Sequence, residues 1–397
     1  MSSLTPITIW SCLAAGISID ARSNPMRRYE RWDSDAQNNG SFDMTTPPST
    51  SYQPYAHPSA WRSADLRDSA EWRITLTPAD NQELRQALAH ARSNNAQIPA
   101  LSEADFPLPT LSPMLAALRV ELMDGRGFCV IKGLNIADLA ASDAAIIYWG
   151  IGRHLGTPMA QNAQGDVLGH ITDLGVDFAD PNTRGYQTRL RLPFHNDLGD
   201  IVGLMCLQTA KRGGLSRLVS STAIYNTILE RRPDLMDVMT GPWYIDRRGE
   251  NPPHKKPYYI GAFFERAGDR LFCRYNRTYI ESGQRFEEVP RLSARQLESL
   301  KLIDDLCYDP QLQLEMALEP GDIQFVNNYA VLHSRTSYED WPEKERRRYL
   351  LRLWLNTGLV KEMPPSWVDH HSDWDTWKLD PRPPIFDLSM RRAELAH

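Results

Sequence analysis

The sequence predicts an α+β fold with a mainly β core and helical insertions that cover it. Up to Leu155 the apolar residues recur mostly at helical spacing. From Gly185 onward, short runs rich in β-branched and aromatic residues alternate with Gly-containing breaks. Many strands with a few long helical insertions are typical of one barrel-like or sandwich core. Because there is no internal repeat and no convincing second domain, we expect a single domain over residues 61–397.

The two ends of the chain have a different composition from its middle. Ser, Pro, Asn and Thr dominate residues 21–60, and so few apolar side chains cannot offset the entropy lost on ordering. We therefore predict a disordered N-terminal tail over residues 1–60. From about residue 357 the chain is rich in proline, which predicts an irregular C-terminal tail.

Composition excludes several classes of partner. The formal net charge is −6, so no basic field is available for nucleic acid or for an anionic membrane surface. Five cysteines are scattered with no Cys-x-x-Cys pair, which argues against a disulfide framework or a structural zinc site. The apolar segment 7–19 is too short to span a bilayer, and no Lys or Arg precedes it. These features predict a cytoplasmic protein, and they leave its oligomeric state open.

The helices are identified by apolar spacing and by their capping residues. Thr77 is placed to cap the first helix, with Pro78 in its first turn. Ser293 and Gln296 have the spacing of a capping box. The predicted helices are Asn81–Arg92, Leu111–Asp124, Asp138–Leu155, Ala223–Met239 and Ser293–Leu306.

The strands are identified by β-rich runs between Gly and Pro breaks. Ala267-Gly268-Asp269 is expected to join a hairpin, and Glu319-Pro-Gly-Asp322 to join two further strands. The predicted strands are Phe128–Ile131, Tyr186–Asp197, Ile201–Thr209, Leu215–Ser220, Pro257–Phe264, Arg270–Tyr275, Leu312–Leu318, Ile323–Val326 and Arg347–Asn356.

One stretch, Leu192-Pro-Phe-His-Asn-Asp-Leu-Gly-Asp200, carries a His-x-Asp pair. In an extended segment His195 and Asp197 point to the same face, so the imidazole and the carboxylate converge. A divalent metal needs a third ligand, for which His333 is the best candidate. Two His and one carboxylate leave three metal positions open, an arrangement typical of non-haem Fe(II) oxygenases.

The last predicted strand carries a second signal. Tyr349, Leu351, Leu353 and Leu355 form one apolar face, while Arg348, Leu350, Arg352 and Trp354 form the other. A buried guanidinium needs an anionic partner, and this strand contains no acidic residue. We therefore expect an anionic ligand to satisfy Arg348 and Arg352.

These motifs together resemble the taurine dioxygenase (TauD/TfdA) superfamily, which includes clavaminate synthase-like proteins. In chain order they are Phe-His195-Asn-Asp197, Gly213-Gly-Leu-Ser216, Glu319-Pro-Gly-Asp through His333-Ser-Arg, and Arg348-Tyr-Leu-Leu-Arg352. The resemblance covers about residues 61–356. It implies a double-stranded β-helix (jelly-roll) fold with helical insertions.

The resemblance also implies a set of roles. His195, Asp197 and His333 would be the iron ligands, and Arg348 would hold the distal carboxylate of 2-oxoglutarate. Ser216, where Thr is common in the family, would assist through its hydroxyl. Arg352 matches the position that often meets an anionic group of the substrate. The implied enzyme is an Fe(II)/2-oxoglutarate-dependent dioxygenase that uses O2, releases succinate and CO2, and oxidises a small molecule.

Two alternatives remain open at this point. One is a metal-dependent hydrolase that uses the same ligands with zinc, which the two arginines disfavour. The other is a catalytically inactive barrel-type protein that binds a small molecule, which the intact set of three candidate ligands disfavours. The sequence does not identify the substrate, although a carboxylate or sulfonate is a candidate, and it does not separate hydroxylation from desaturation or cyclisation.

Overall fold

The computed structural model describes residues 52–177, 183–252, 254–368, 380–387 and 390. The first 51 residues, with the apolar segment 7–19 and most of the predicted tail, lie outside this part. Residues 52–60, which we expected to belong to the tail, pack against the domain. The Ser59 and Thr222 hydroxyls are 2.9 Å apart, and the Tyr55 amide donates to Asn226 at 2.8 Å. Packing therefore begins before Trp61, where we expected the domain to start.

The helices begin close to where their capping residues predict. Thr77 Oγ1 accepts a hydrogen bond from the Asp80 amide at 3.2 Å, and the Asp80 carboxylate accepts one from the Thr77 amide at 2.7 Å. Ser293 and Gln296 form the predicted capping box. Within the described residues, no helix combines the length and the apolar character that crossing a bilayer requires. The helices are α1 Ser63–Leu66, α2 Pro78–Ser93, α3 Leu111–Asp124, α4 Ala141–Leu155, α5 Ser221–Arg231, α6 Met236–Met239, α7 Arg277–Gly283 and α8 Ala294–Cys307.

The predicted helix Ala223–Met239 is interrupted, and on this point the prediction was wrong. α5 ends at Arg231, Pro233–Leu235 forms a 3₁₀ turn, and only then does α6 begin. Proline has no amide hydrogen, and its ring clashes with the carbonyl four residues earlier, so an α-helix does not continue through it.

Two sheets carry most of the strands. The major sheet has the order β1-β2-β14-β6-β17-β3, with β4 also paired to β17, and the minor sheet has the order β13-β8-β15-β5. Neighbours are antiparallel, except β1 with β2. The predicted combination of helices with a large β-sheet is confirmed. The strands are β1 Arg73–Thr75, β2 Phe128–Lys132, β3 Thr157–Pro158, β4 Gly169–Ile171, β5 Leu192–His195, β6 Ile201–Gln208, β7 Arg212–Gly213, β8 Ser216–Ser220, β9 Trp243–Asp246, β10 Tyr258–Gly261, β11 Phe264–Ala267, β12 Arg270–Cys273, β13 Gln313–Met316, β14 Ile323–Asn327, β15 Val331–Arg335, β16 Tyr338–Glu339 and β17 Tyr349–Asn356.

The two faces of the major sheet pack against different layers. On one face, Leu353 of β17 belongs to an apolar cluster with Leu118 of α3 and Ile147 of α4. On the other face, Phe128 of β2 belongs to a second cluster with Val331 of the minor sheet. The minor sheet therefore faces the major sheet, and the helices cover the outside.

The predicted hairpin has a different first strand. β12 pairs with β11 around Gly268 and Asp269, the predicted turn, and Gly268 adopts a φ of 53° that favours glycine. Tyr258–Gly261, which we expected to pair with β12, pairs instead with β9. No element was predicted between Met239 and Pro257, so β9 was missed.

The two strands that flank the candidate site were predicted less well. The predicted strand Tyr186–Asp197 begins only at Leu192, because Gly185–Gln187 forms a 3₁₀ turn. β15 was not predicted as a strand, since three of its five residues, His333 to Arg335, are polar. It is nevertheless fully buried.

Candidate metal centre and its cavity

The structure brings His195, Asp197 and His333 together. β15 pairs with β5 so that His333 lies opposite His195. One ligand atom from each of the three residues lies within 4.8 Å of the others. This is the only such group of His, Cys, Asp and Glu side chains in the part of the chain that the structure describes.

Asp197 is positioned by Asn328 rather than by strand geometry. β5 ends at His195, so the alternation that we expected to align the pair does not extend to Asp197. The Asp197 amide donates to Asn328 Oδ1 at 2.9 Å, and Asn328 Nδ2 donates to the Asp197 carbonyl at 2.7 Å. Asn196 Nδ2 donates to the Asn328 carbonyl at 2.6 Å. Sequence reasoning missed Asn328, although it lies in the quoted stretch just before His333.

Burial and neighbouring charges favour the metal-binding forms of Asp197 and His333. Burial raises the pKa of Asp197, but the Arg352 guanidinium and the two imidazoles outweigh this and lower it to about 2. Burial and the nearby His195 lower the pKa of His333 to about 3. His195 Nδ1 lies 2.8 Å from the Pro193 carbonyl, which only accepts, so Nδ1 donates to it, while Nε2 lies 3.8 Å from Asp197 Oδ1. An ionised carboxylate and neutral imidazoles are the forms that bind a metal.

Arg352 finds its anionic partner within the protein. Its Nη1 donates to Asp197 Oδ2 at 3.0 Å, and Trp354 Nε1 donates to the same oxygen at 3.1 Å. Gln161 completes the arrangement, because its Oε1 accepts from Arg352 Nε at 2.8 Å. We expected an anionic ligand to satisfy Arg352, and this reasoning considered only acidic residues within the same strand. The role of Arg352 in substrate binding stays a prediction.

Arg348 lies in the same cavity and is deeply buried. It is 6% exposed, and its Nη1 has no hydrogen-bond partner. Its guanidinium carbon lies 5.1 Å from the centroid of the Tyr338 ring. Burial lowers the pKa of Arg348. A buried guanidinium nitrogen without an acceptor points to an anionic ligand at this end of the cavity.

A second arginine, Arg335, accompanies Arg348. Its Nη2 donates to the Thr188 carbonyl at 2.9 Å, while its Nε and Nη1 have no partner. Burial and the nearby Arg348 lower the pKa of Arg335 to about 10. Sequence reasoning assigned it no role. The available signal was its position two residues after His333, which places both side chains on one face of a strand.

Ser216 also lines this cavity, but its hydroxyl is already engaged. Ser216 Oγ donates to Gln324 Oε1 at 3.0 Å. The cavity encloses about 200 Å³ and opens between the two sheets. Seven arginines and three carboxylate residues line it, together with His195 and His333. Its walls therefore carry a surplus of positive charge.

A model of the family described as taurine catabolism dioxygenase TauD, TfdA matches residues 85–354. The chain belongs to this family. The match spans both candidate histidines, Asp197 and most of the last strand. It confirms the resemblance that the motifs predicted.

Three relatives are similar in sequence to this chain over most of their own length. The chain is 32% identical to FR-33289 synthase of Streptomyces rubellomurinus, over 80% of this chain and 95% of that protein. It is 30% identical to the taurine hydroxylase-like protein SAT17 of Stachybotrys chartarum, over 77% and 81% of the two chains. It is 25% identical to a uridine-5'-phosphate dioxygenase of an Amycolatopsis species, over 58% and 85%.

Solved structures support the fold. Asparagine oxygenase in complex with Fe(II), 3-hydroxyasparagine and succinate matches with a TM-score of 0.55 at 17% identity, over 72% of this chain and 94% of that one. The non-haem iron oxygenase OrfP with Fe and alpha-ketoglutaric acid matches with a TM-score of 0.53 at 14% identity, over 72% and 94%. Together with the family match, these findings confirm the predicted enzyme class, an Fe(II)/2-oxoglutarate-dependent dioxygenase, and its cofactors.

Proposed function

We propose that this dioxygenase holds ferrous iron through His195, Asp197 and His333 and oxidises a small anionic molecule, with 2-oxoglutarate as co-substrate. The observation that carries the proposal is one cavity that contains both the three candidate ligands and the buried Arg348 guanidinium, whose Nη1 has no hydrogen-bond partner. A metal site and a carboxylate site within one cavity are what a chelating keto acid requires.

The three side chains fit an iron ion. Two imidazole nitrogens and one carboxylate oxygen form a facial set that leaves the remaining positions for other ligands. Asp197 and His333 are in the deprotonated form described above, so neither has to lose a proton before the metal binds. Arg352 and Trp354 hold the carboxylate through Oδ2, which fixes the orientation of Asp197.

The second end of the cavity fits the far carboxylate of 2-oxoglutarate. Arg348 offers a planar guanidinium that matches a carboxylate, and Arg335 adds a second positive charge beside it. Ser216 contributes only if its hydroxyl leaves Gln324, because a carboxylate cannot donate a hydrogen bond.

The chemistry follows from these parts. Iron, 2-oxoglutarate and O2 together supply an oxidant for an unactivated C–H bond: one oxygen atom enters succinate as CO2 leaves, and the other enters the product when the reaction is a hydroxylation. The residues of the chain bind the keto acid, keep Asp197 ionised and oriented, and exclude bulk water with the apolar walls contributed by Leu204, Leu350 and Trp354.

Three finer points belong to this proposal. The fold is a double-stranded β-helix, which the antiparallel order of the two facing sheets supports. The co-products are succinate and CO2, and the oxidation of the primary substrate is a hydroxylation, a desaturation or a cyclisation. An anionic substrate is supported by the excess of arginine in the cavity and by the relative named for uridine-5'-phosphate. A cytoplasmic location stays a prediction.

An anaerobic titration tests the proposal. Adding Fe(II) and then 2-oxoglutarate to the metal-free protein should produce a weak visible charge-transfer band, because the keto acid chelates the iron. Arg348→Lys keeps the charge but loses the planar fork, so the 2-oxoglutarate dissociation constant should rise roughly ten- to a hundredfold. Arg212→Lys is the matched control, because the Arg212 side chain is 85% exposed.

The outcomes separate the alternatives. A zinc-dependent hydrolase would give no band with Fe(II) and 2-oxoglutarate. An inactive binding protein would give the band but no succinate when O2 and a pool of candidate metabolites are added. An unchanged dissociation constant in Arg348→Lys would refute the assignment of Arg348.

A further inference from the structure

Arg274 is a buried arginine whose guanidinium has no hydrogen-bond acceptor. It follows β12 and is 5% exposed, and its Nε, Nη1 and Nη2 are all buried without a partner. Burying a guanidinium costs free energy unless its N–H groups are satisfied. A side chain with three unmet donors that lines a cavity is therefore arranged for a ligand that accepts.

Aromatic rings hold this guanidinium in place. Its central carbon lies 4.0 Å from the centroid of the Trp367 ring and 5.0 Å from that of Tyr259. Such stacking satisfies the faces of the guanidinium but leaves its N–H edge available. Gly261 permits this position, because a Cβ there would lie 3.3 Å from Arg274 Cδ. The side chain is thus preorganised without an internal acceptor.

The backbone ties Arg274 to the candidate metal centre. The Arg274 amide donates to the Phe263 carbonyl at 2.9 Å, and the next residue, Tyr275, accepts from the Asn196 amide at 3.0 Å. Asn276 forms a β-bridge with His195. Arg274 therefore has a fixed place relative to the His-x-Asp segment, just after β12, whereas Arg348 immediately precedes β17.

The charge of the cavity indicates the kind of anion. Seven arginines and three carboxylates line it, so these residues alone give a formal surplus of four positive charges. A ferrous ion and a doubly charged keto acid would cancel each other and leave that surplus unchanged. Arg247, whose guanidinium carbon lies 5.3 Å from the same Tyr259 ring, adds a second cation beside Arg274. A phosphoryl group carries about −1.5 to −2 near neutral pH, whereas a carboxylate or sulfate ester carries one charge.

We propose that Arg274 binds a phosphoryl group on the primary substrate. This assignment deepens the proposed function and rests on it. The guanidinium would donate through its free edge to two phosphoryl oxygens, as planar forks do. The substrate would then extend from Arg274 toward the metal centre, and its reactive carbon would be positioned by a group remote from the chemistry.

The test uses two small probes of one shape. At mildly alkaline pH methyl phosphate is a dianion, whereas methyl sulfate is a monoanion. Each is titrated calorimetrically, without O2, into protein that is saturated with Fe(II) and 2-oxoglutarate, so that the Arg348 site is filled. We expect methyl phosphate to bind more tightly than methyl sulfate. Arg274→Met should weaken methyl phosphate binding roughly tenfold or more, and the exposed control Arg212→Met should leave it unchanged.

A stability measurement separates a ligand site from a structural role. If Arg274 awaits a ligand, Arg274→Met removes an uncompensated buried charge and should raise the melting temperature of the ligand-free protein. If Arg274 is only a structural partner of Trp367 and Tyr259, the same variant should melt earlier or fail to fold. A lower melting temperature, or no folding, would therefore overturn the proposal.

The binding measurements can also overturn the proposal. Equal affinity for both probes would overturn the phosphoryl assignment, and unchanged affinity in Arg274→Met would overturn the site. Failure of the proposed function is recognised separately, because the charge-transfer band would then not form. In that case, methyl phosphate binding to metal-free Arg348→Gln protein still tests Arg274: retained binding supports the site, and loss of binding places the anion at Arg348 instead.

Discussion

At the scale of single residues, Asp197 has two roles: it is a candidate metal ligand and it is the anionic partner of Arg352. Its carboxylate is a candidate metal ligand, and it also neutralises Arg352, whose side chain is 8% exposed. His333 has no comparable second contact, since its Nδ1 lacks a hydrogen-bond partner. Removing one or the other should therefore have the same effect on iron but different effects on folding.

Asp197→Ala should lose iron and also lower the free energy of unfolding of the metal-free protein by about 3–5 kcal/mol, because Arg352 remains buried and unpaired. His333→Ala should lose iron at a smaller cost in stability. Urea unfolding of both variants without metal checks this. Adding Arg352→Met to Asp197→Ala should restore part of the loss. Equal stability of the two single variants would refute the buried pair.

We expect Ser216 to contribute less to 2-oxoglutarate binding than the family resemblance implied. Its hydroxyl proton is used by Gln324. Ser216→Ala should therefore raise the dissociation constant of 2-oxoglutarate less than about tenfold, since one neutral hydrogen bond contributes roughly 0.5–1.5 kcal/mol. The anaerobic titration used for Arg348→Lys measures it. A larger loss would mean that Ser216 turns away from Gln324 when the keto acid binds.

At the scale of elements, α4 and α8 differ at their N-termini. Ser293 caps α8 by accepting from the Gln296 amide at 3.2 Å, whereas Ala140 precedes α4 with extended backbone angles and no side-chain cap. Both positions are exposed, so a substitution changes little besides the cap. The two helices therefore form a matched pair.

Ser293→Ala should lower the free energy of unfolding by about 0.5–2 kcal/mol, and Ala140→Ser should raise it by a similar amount. The reason is the same in both cases: a side-chain oxygen satisfies one of the free amides in the first helical turn. Chemical denaturation of the two variants measures both changes. Changes of the same sign would show that capping is not what distinguishes these sites.

The last strand was the element predicted most completely. Tyr349, Leu351, Leu353 and Leu355 join the helix-covered core, as their alternation predicted. The other face, from Arg348 to Trp354, lines the cavity. The alternation was informative because β17 is an interior strand of its sheet and its two faces meet different environments.

At the scale of the whole molecule, the site joins elements that are distant in the chain. His195 and His333 lie on adjacent strands of the minor sheet. Arg352 lies on β17 of the major sheet, and Arg348 immediately precedes that strand. Ligands that bridge these elements bind only the folded chain. Their binding free energy is therefore added to the stability of the fold.

Fe(II) with 2-oxoglutarate should raise the melting temperature of the anaerobic protein. At a hundredfold excess over its dissociation constant, each ligand contributes about 2.7 kcal/mol. His333→Ala should lose most of the shift that iron produces, and the control Arg212→Lys should keep it. Differential scanning calorimetry with each ligand alone and with both together checks this. A shift that is unchanged in His333→Ala would place the metal elsewhere.

The sequence by itself determined the residue types, the helix caps at Thr77 and Ser293, and the two faces of the last strand. These depend on local spacing and on side-chain chemistry, both of which can be read directly from the sequence. Family motifs added the candidate roles of His195, Asp197 and His333. Local spacing did not reveal the break at Pro233, because the apolar residues after it keep a helical pattern.

Only the tertiary structure decided which side chains contact one another in the site. The salt bridge between Asp197 and Arg352 spans 155 positions of sequence, and Asn328 holds Asp197 from 131 positions away. Arg274 meets Trp367 and Tyr259 through a cation–π arrangement that no local pattern encodes. The physical reason is that the pairing of strands determines which distant side chains share a cavity, whereas periodicity reports only which face of its own element a residue occupies.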